Sequence, residues 1–242
     1  MIAIWKLAAA VASGNVLIIK TPELAPLYGQ KLAQLIVEAG FPPGVVQILC
    51  GLGTVAGKAL AEHMRIRKLA FTGSTATGRS LLHASANSNL KKVSLELGGK
   101  GATIVFEDAT LDNAVLWAQI GSSANNGQIC ALGSRIYVHE SIHDAFVKAF
   151  KERIAAYPTV KGDPLSPDVT KGPIISRQQY ERVVDKIRIG KEEGATTVIG
   201  GMPSSAGGNF VDNTIFTNVR EDMVIVKEEI FGPVAASDIS DN

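Results

Sequence analysis

The sequence neighbours of one cysteine and one glutamate suggest that their side chains could take part in a reaction. Cys130 follows the small polar stretch 125–129, which does not suit the interior of a packed strand, so we expect the thiol on a turn against which a substrate could be held. Glu96 ends an apolar strand pattern and precedes two glycines. Poor solvation there raises the pKa of a carboxyl group toward the values that a general base needs. An ion pair of Glu96 with Lys92 or Lys100 is an open alternative.

The second cysteine has a simpler interpretation. Cys50 ends the apolar run 45–49. A free cysteine commonly behaves as a small buried hydrophobic residue. We therefore expect Cys50 to be buried and to have no chemical role.

Two glycine-containing strings could hold a phosphate group. Residues 51–57 space their glycines as GxGxxxG, which differs from the usual dinucleotide fingerprint and is weak evidence alone. Residues 71–78 place small and hydroxyl residues at a strand-to-helix junction, where free N–H groups and the helix dipole could bind a pyrophosphate. An ordinary helix N-cap by Ser74 explains the second string equally well.

An acid and an aromatic residue stand close together near the end of the chain. Residues 228–233 read Glu-Glu-Ile-Phe-Gly-Pro, and in a strand Glu229 and Phe231 would share a face. The acid could bind ribose hydroxyls, and the aromatic edge could pack on a flat heterocycle. A core Phe beside a surface Glu is the alternative.

Residues 139–143 match the HExxH string of zinc hydrolases. Zinc binding needs His139 and His143 on one face of one helix. The preceding residues 135–138 predict a strand, and Ser141 with Asp144 predicts a capping box that begins the helix after His139. We favour two solvent-facing histidines and predict no metal site, so a zinc hydrolase is the weakest hypothesis.

Short β-branched runs alternate with helical patterns along the chain, which implies βαβ units and parallel strands. We predict a doubly wound parallel-sheet α/β region over about the first 100 residues and a second α/β unit after it. The string 21–23 is expected to open a helix at 27–39, and residues 201–208 are expected to form a surface loop. Strands are predicted at residues 16–19, 45–49, 68–71, 93–95, 102–106, 135–138 and 198–199, and the other helices at residues 4–11, 56–63, 74–86, 112–123, 142–156 and 177–193.

Charge and composition argue against several classes of partner for this chain. The 24 Lys and Arg against 23 Asp and Glu leave a net charge of +1, so no basic field exists to hold nucleic acid. The apolar run 1–20 contains Lys6 and is broken at residues 13–15, which argues against a membrane segment. Two cysteines exclude a disulfide framework and favour a reducing compartment, so we expect a cytoplasmic location.

Five strings together resemble the NAD(P)-dependent aldehyde dehydrogenase family, in the order in which that family carries them. Residues 95–100 resemble its glutamate signature, residues 127–130 its cysteine signature, and residues 71–74 its cofactor loop. Residues 228–233 resemble its nicotinamide-ribose segment, and residues 20–23 resemble its adenosine-ribose segment. The resemblance runs over essentially the whole chain and covers about half of a full-length member.

The resemblance implies a reaction and a division of the chain. Cys130 would be the nucleophile that forms a thiohemiacetal and then a thioester with an aldehyde substrate, and its backbone N–H would hold part of the oxyanion. Glu96 would activate the water that hydrolyses the thioester. Residues 1–97 would be part of an NAD-binding domain and residues 98–242 part of a catalytic domain, in an incomplete aldehyde dehydrogenase-like fold.

The resemblance also implies NAD as cofactor. Lys20 and Glu23 would bracket the adenosine ribose, and the Glu23 carboxylate would repel the 2′-phosphate of NADP, which is less favoured. Glu229 would bind the other ribose, with Phe231 against the nicotinamide. The implied cofactor-binding residues are Lys20, Glu23, Gly53, Phe71, Thr72, Gly73, Ser74, Leu97, Glu229 and Phe231.

The sequence departs from the family pattern at both ends. It lacks the Trp-Asn-Phe-Pro segment whose Asn supplies a second oxyanion donor, and losing such a donor costs about 10²–10³ in rate. The strands that join subunits in this family of homo-oligomers are absent as well. A catalytically inactive fragment, acting at most as a nucleotide-binding or interaction module, is therefore the alternative function. The sequence does not identify the aldehyde.

Overall fold

The computed structural model describes residues 1–156, 162–163, 165–204 and 207–240. They form two compact units, Met1–Leu97 and Gly98–Asn242. Within the described residues, no helix combines the length and the apolar character that crossing a membrane requires.

The first unit contains two pairs of parallel strands with helices between them. In one pair Leu17 lies opposite Val46, and in the other Lys68 lies opposite Lys92. The α/β class and the parallel pairing match the prediction, although these strands form two sheets of two strands. The elements are helices α1 (Ile2–Ala12), α2 (Pro26–Glu38), α3 (Lys58–Glu62) and α4 (Thr75–Ala86), and strands β1 (Leu17–Lys20), β2 (Val46–Leu49), β3 (Lys68–Gly73) and β4 (Lys92–Leu97).

The string 21–23 does not open helix α2. The helix begins at Pro26, with Ala25 as an N-cap that makes no side-chain hydrogen bond. Residues 22–25 form a turn instead, closed by the N–H of Ala25 donating to the carbonyl of Pro22 at 3.1 Å. Proline at the first helical position is favoured because its missing N–H would be unpaired there. Pro26, which lies beyond the string, occupies that first helical position.

The second unit is built on one five-stranded sheet. Its strand order is β5-β6-β9-β8-β7, and all neighbours are parallel except β7 and β8. Residues 205–206, in the middle of the predicted loop 201–208, lie outside the described residues. The elements are helices α5 (Leu111–Ser123), α6 (His143–Ala156), α7 (Arg177–Glu192) and α8 (Val224–Lys227), and strands β5 (Ala102–Val105), β6 (Arg135–His139), β7 (Thr196–Ile199), β8 (Thr214–Thr217) and β9 (Val234–Ser240).

The sheet of the second unit is covered on both faces. Successive residues of a strand point to opposite faces, so one strand can contribute to the core on each side. In β9, Val234 and Ala236 join the core that includes residues of α7 and α8. Ala235 joins the core on the other face, with Phe146 and Phe150 of α6, whose ring centroids are 5.6 Å apart. Strand β9 therefore contributes side chains to both cores of the second unit.

Candidate functional site

The Cys130 thiol lies on a turn, as predicted. The turn follows Asn125, Asn126 and Gly127, which have φ angles of 49°, 56° and 71°. Asparagine and glycine adopt this left-handed region more readily than other residues, so these three residues allow the chain to reverse here. The thiol is free and half-buried.

Residues 124–132, which we call the thiol loop, are tied to the chain that leads into α7. The side-chain amide of Asn126 donates to the carbonyl of Gly172 at 2.8 Å. The N–H of Ile175 donates to the side-chain carbonyl of Gln128 at 3.0 Å. Both hydrogen bonds join residues more than forty positions apart in sequence, so the loop conformation depends on tertiary structure.

Residues 228–232, which we call the acid-aromatic segment, do not form the strand in which Glu229 and Phe231 would share a face. The segment is irregular, and Phe231 has a φ of 53°. The Glu229 carboxylate turns to accept a 3.3 Å hydrogen bond from the N–H of Gly99. The tertiary contacts of the segment thus override the strand pattern.

The thiol loop and the acid-aromatic segment line one small cleft in the second unit. A side chain at Gly127 would overlap the carbonyl of Gly232, so the two stretches of backbone meet at closest approach. A Cβ atom at Gly99 would lie 3.5 Å from the carbonyl oxygen of Cys130. The residues lining the cleft include Gly99, Gly127, Ile129, Ser134, Glu229 and Phe231.

Lys100 gives this region an unusual charge. Its Nζ is buried and has no hydrogen-bond partner among the described residues. Burial is the main cause that lowers the pKa of Lys100 from 10.5 to about 8, and the nearby Arg135 lowers it further, whereas Glu229 opposes the shift. The sequence gives no signal for this burial, because Lys100 follows glycines that suggest an exposed turn.

We expect Lys100→Met to raise the free energy of unfolding at pH 7 by about 3 kcal/mol, because it removes a buried charge. The folded-state pKa of Lys100 lies below its unfolded value, so the unfolded chain binds more protons between about pH 8 and 10.5. The unmodified chain should therefore gain stability as the pH rises through that window, and the variant should not.

Urea denaturation followed by circular dichroism across this pH range measures both effects. Lys148→Met, on an exposed position of α6, is the matched control and should keep the pH dependence. An unchanged pH profile in the Lys100 variant would contradict the assignment.

Glu96 lies in β4 on the exposed face of that strand. The strand alternates exposed and half-buried residues, and Glu96 has the same phase as the exposed Lys92 and Ser94. The expectation of a poorly solvated acid is therefore wrong for this structure. Strand periodicity is the physical reason, since Leu95 and Leu97 take the inward positions.

Lys20 and Glu23 come together at the carboxyl end of β1. Their charged groups are 3.2 Å apart, and Lys20 also donates to the carbonyl of Gly51 at 3.0 Å. The pKa of Glu23 lies below its ordinary value, first because its own backbone N–H donates to the carboxylate and then because of Lys20. Beside them Gly53 begins a π-helical turn, and the position of its missing Cβ is open space.

The string 71–74 forms the predicted strand-to-helix junction between β3 and α4. The Ser74 hydroxyl accepts a 3.3 Å hydrogen bond from the N–H of Thr77, so Ser74 is an N-cap. This confirms the simpler interpretation of the string, and it leaves earlier N–H groups of the helix without an intrahelical partner. Leu97 packs against Gly78 of the same helix.

Lys6 makes a tertiary contact that the sequence did not predict. Its Nζ donates to the Thr72 hydroxyl at 2.8 Å, although 66 positions separate the two residues. Lys6 is the only charged residue of α1, which is otherwise apolar. A single charged residue in an apolar helix is the sequence feature that could have predicted a tertiary contact of Lys6.

Cys50 corrects a second expectation, because its thiol is exposed. The hydroxyl of Thr21 and the amide of Gln30 donate to its sulfur at 3.4 and 3.1 Å. These two hydrogen bonds, in that order, lower the pKa of the Cys50 thiol. The apolar residues before Cys50 lie in β2, whose residues alternate between half-buried and exposed. An apolar run therefore did not imply that the residue after it is buried.

The HExxH string does not form the helix that zinc binding requires. His139 ends strand β6 and its ring accepts a hydrogen bond from the N–H of Ser141, whereas His143 begins α6. The two histidines therefore do not share one helical face. His143 is not solvent-facing as expected, since its side chain is only 11% exposed and its Nε2 is buried. Among the described residues, no group of three His, Cys, Asp or Glu side chains could hold a metal ion.

Comparison with known proteins gives one consistent family. The family model described as "Aldehyde dehydrogenase family" matches residues 1–238. An aldehyde dehydrogenase of Davidiella tassiana is 53% identical over 232 residues, which are 96% of this chain and 46% of that relative. An aldehyde dehydrogenase of Aspergillus niger is 50% identical over 95% of this chain and 46% of that relative.

The structural comparison agrees. An NAD⁺ complex of an aldehyde dehydrogenase from Bacillus cereus superimposes with a TM-score of 0.95 and 42% identity, over 100% of this chain and 48% of that one. This chain spans about half the length of the curated relatives it matches.

Proposed function

The chain belongs to the aldehyde dehydrogenase family, and we propose that it oxidises an aldehyde to a carboxylic acid with NAD⁺, through a thioester on Cys130. The observation that carries the proposal is the free thiol on a turn beside the cleft that the acid-aromatic segment lines. A thiolate is the form that attacks a carbonyl carbon.

The proposed chemistry assigns one role to each group. The Cys130 sulfur bonds to the aldehyde carbon, whose oxygen becomes an oxyanion that the Cys130 N–H holds. NAD⁺, when bound, accepts the hydride that this carbon loses. Water then attacks the resulting thioester, Glu96 takes a proton from that water, and the carboxylic acid leaves as the thiol is restored.

The residues of the first unit fit a dinucleotide. The Lys20–Glu23 pair offers a carboxylate for ribose hydroxyls, and open space beside Gly53 lets a ligand approach the backbone. The N-terminus of α4, together with Phe71, Thr72 and Gly73 before it, would receive the pyrophosphate. We assign Leu97 to the same site, and in the second unit Glu229 and Phe231 to the nicotinamide ribose and ring.

We propose a cytoplasmic location, which the two free thiols support.

The test is NADH formation by purified chain with NAD⁺ and a panel of aliphatic and aromatic aldehydes, followed by absorbance. Turnover supports the proposal. If the folded chain binds NADH without turnover, the second candidate holds, which is a nucleotide-binding module. The Lys20–Glu23 pair and the open space beside Gly53 favour that candidate, because they could bind a ribose without any contribution from the thiol. If neither turnover nor binding occurs, both proposals are wrong.

The proposed role of Glu23 predicts how the chain selects between NAD and NADP. The Glu23 carboxylate faces solvent with 47% of its side chain exposed, where it would repel a 2′-phosphate. Glu23→Gln removes that charge and releases Lys20 from its ion pair. We expect the ratio of NADP to NAD in kcat/KM to rise about tenfold, which corresponds to about 1.4 kcal/mol of electrostatic energy.

Steady-state kinetics with both cofactors measures this ratio. Glu38→Gln, an exposed position at the end of α2, is the control and should leave the ratio unchanged. An equal ratio in both variants would remove Glu23 from the cofactor site. Where turnover is absent, the dissociation constants of NADPH and NADH serve instead.

A further inference from the structure

The conformation of Phe231 requires an explanation. Its φ of 53° lies in the left-handed region, which bulky residues rarely occupy. Such a conformation persists only where the surrounding structure holds it, and it is often found at functional sites. The side chain of Gln179 supplies the contact that holds it here.

Gln179 bonds the backbone on both sides of this residue. Its Nε2 donates to the carbonyl of Ile230 at 3.0 Å and to the carbonyl of Phe231 at 3.1 Å. Both N–H donors of the side-chain amide are available for two acceptors. The Gln179 backbone is itself fixed, since its N–H donates to the Ser176 hydroxyl, the N-cap of α7, at 3.2 Å.

Packing from the same helix restricts the next residue. A Cβ atom on Gly232 would lie 2.5 Å from the nearest methyl group of Val183, one turn along α7 from Gln179. Ile230 is 5% exposed and belongs to the core around that helix. The acid-aromatic segment is thus held by hydrogen bonds and by packing, both from α7.

The thiol loop is held from the same end of α7. Its Gln128 side chain accepts from the N–H of Ile175, two residues before the helix begins. Gly127 of the loop lies against the backbone of Gly232. One helix end therefore fixes both the stretch that carries Cys130 and the stretch that carries Phe231.

We propose that Gln179 is a positioning residue that keeps the main chain of Phe231 in register with the thiol loop. This rests on the proposed function, in which Cys130 attacks the aldehyde and Phe231 lies against the nicotinamide. Gln179 acts through the two carbonyl groups. Without its N–H donors, Phe231 leaves the left-handed region and the thiol loop loses the backbone surface against which Gly127 rests.

The test uses two substitutions that remove the donors and keep the length of the side chain. Gln179→Glu presents oxygen atoms to the two carbonyls, and Gln179→Met presents none. Gln178→Glu and Gln178→Met are matched controls, because Gln178 is the exposed neighbour on the same helix. All variants carry Cys50→Ala, so that Cys130 is the one thiol that an alkylating reagent can modify.

We expect both Gln179 variants to bind NADH about tenfold more weakly and to change the iodoacetamide alkylation rate of Cys130 by at least about threefold, since one hydrogen bond shifts an equilibrium about fivefold. With a turnover assay, kcat falls while the KM for aldehyde stays near that of the controls. The Gln178 variants should match the parent in each measurement.

Two results would overturn the proposal. Alkylation and NADH binding equal to those of the controls would show that the hydrogen bonds position nothing. Loss of circular dichroism signal in both Gln179 variants would make the residue a requirement of the fold and not a positioning group. If the parent chain binds no NADH, the proposed function fails, and the alkylation rates alone still decide whether Gln179 orders the thiol loop.

Discussion

Replacing Cys130 by alanine is expected to abolish aldehyde-dependent NADH formation, with a loss on the order of 10⁴-fold or more. The thiolate forms the covalent bond on which the later steps depend, and removing a nucleophile eliminates the pathway instead of slowing one step. Stopped-flow and steady-state assays with the most active aldehyde of the panel measure the loss.

The chain offers a matched control in Cys50→Ala. Cys50 is the other free cysteine, it is exposed, and its pKa lies below the ordinary value of a thiol. A reactive but non-catalytic thiol should be dispensable, so we expect turnover within about twofold of the parent, as for a surface substitution. Loss of turnover in Cys50→Ala and not in Cys130→Ala would reverse the assignment of the nucleophile.

Binding separates a chemical effect from a folding effect. Cys130→Ala removes one sulfur atom from a half-buried turn and leaves the hydrogen bonds of Asn126 and Gln128 in place. We therefore expect NADH binding to persist in this variant. A variant that loses binding as well as turnover would indicate a damaged fold and would not support a nucleophilic role.

The sequence predicted those parts of the candidate site that depend on interactions between neighbouring residues. The turn at Cys130 follows from two asparagines and a glycine, and the Ser74 cap follows from a hydroxyl at a strand-to-helix junction. Each depends on interactions within a few residues. The α/β class with parallel strands followed from the alternation of strands and helices.

Long-range contacts determine the parts that the sequence did not predict. The sequence suggested a strand for Glu229 and Phe231, but the Gln179 amide and the Gly99 N–H bind that segment from 51 and 130 positions away. The burial of Lys100 is likewise invisible in its neighbours. A pattern among neighbouring residues cannot predict contacts with residues so far away in the sequence.

The two strands missed in the second unit have a related cause. Strand β8, Thr214–Thr217, is buried along its whole length, and β9 lies at the centre of the sheet. Strands covered on both faces lack the alternation of polar and apolar residues that indicates an exposed strand. Strand β8 also has only four residues, so periodicity alone could not distinguish it from a loop.

Gly127 provides the second large expected effect. With a φ of 71°, this position strains any residue that has a Cβ atom, and a Cβ here would overlap the carbonyl of Gly232. That neighbour is backbone and cannot rotate away. We expect Gly127→Ala to lower the free energy of unfolding by about 3 kcal/mol, about 1 from strain and the rest from overpacking.

Gly194→Ala separates these two causes. Gly194 has a φ of 97°, but the position of its missing Cβ has no atom within 4 Å, so alanine there meets strain alone. We expect a loss of about 1 kcal/mol in that control. Urea denaturation of both variants, with the alkylation rate of Cys130 in a Cys50→Ala background, measures the difference. Equal losses in the two variants, with an unchanged alkylation rate, would mean that the thiol loop does not depend on its contact with Gly232. A larger loss and a changed rate in Gly127→Ala alone would show that backbone contact between these two stretches sets the position of the proposed nucleophile.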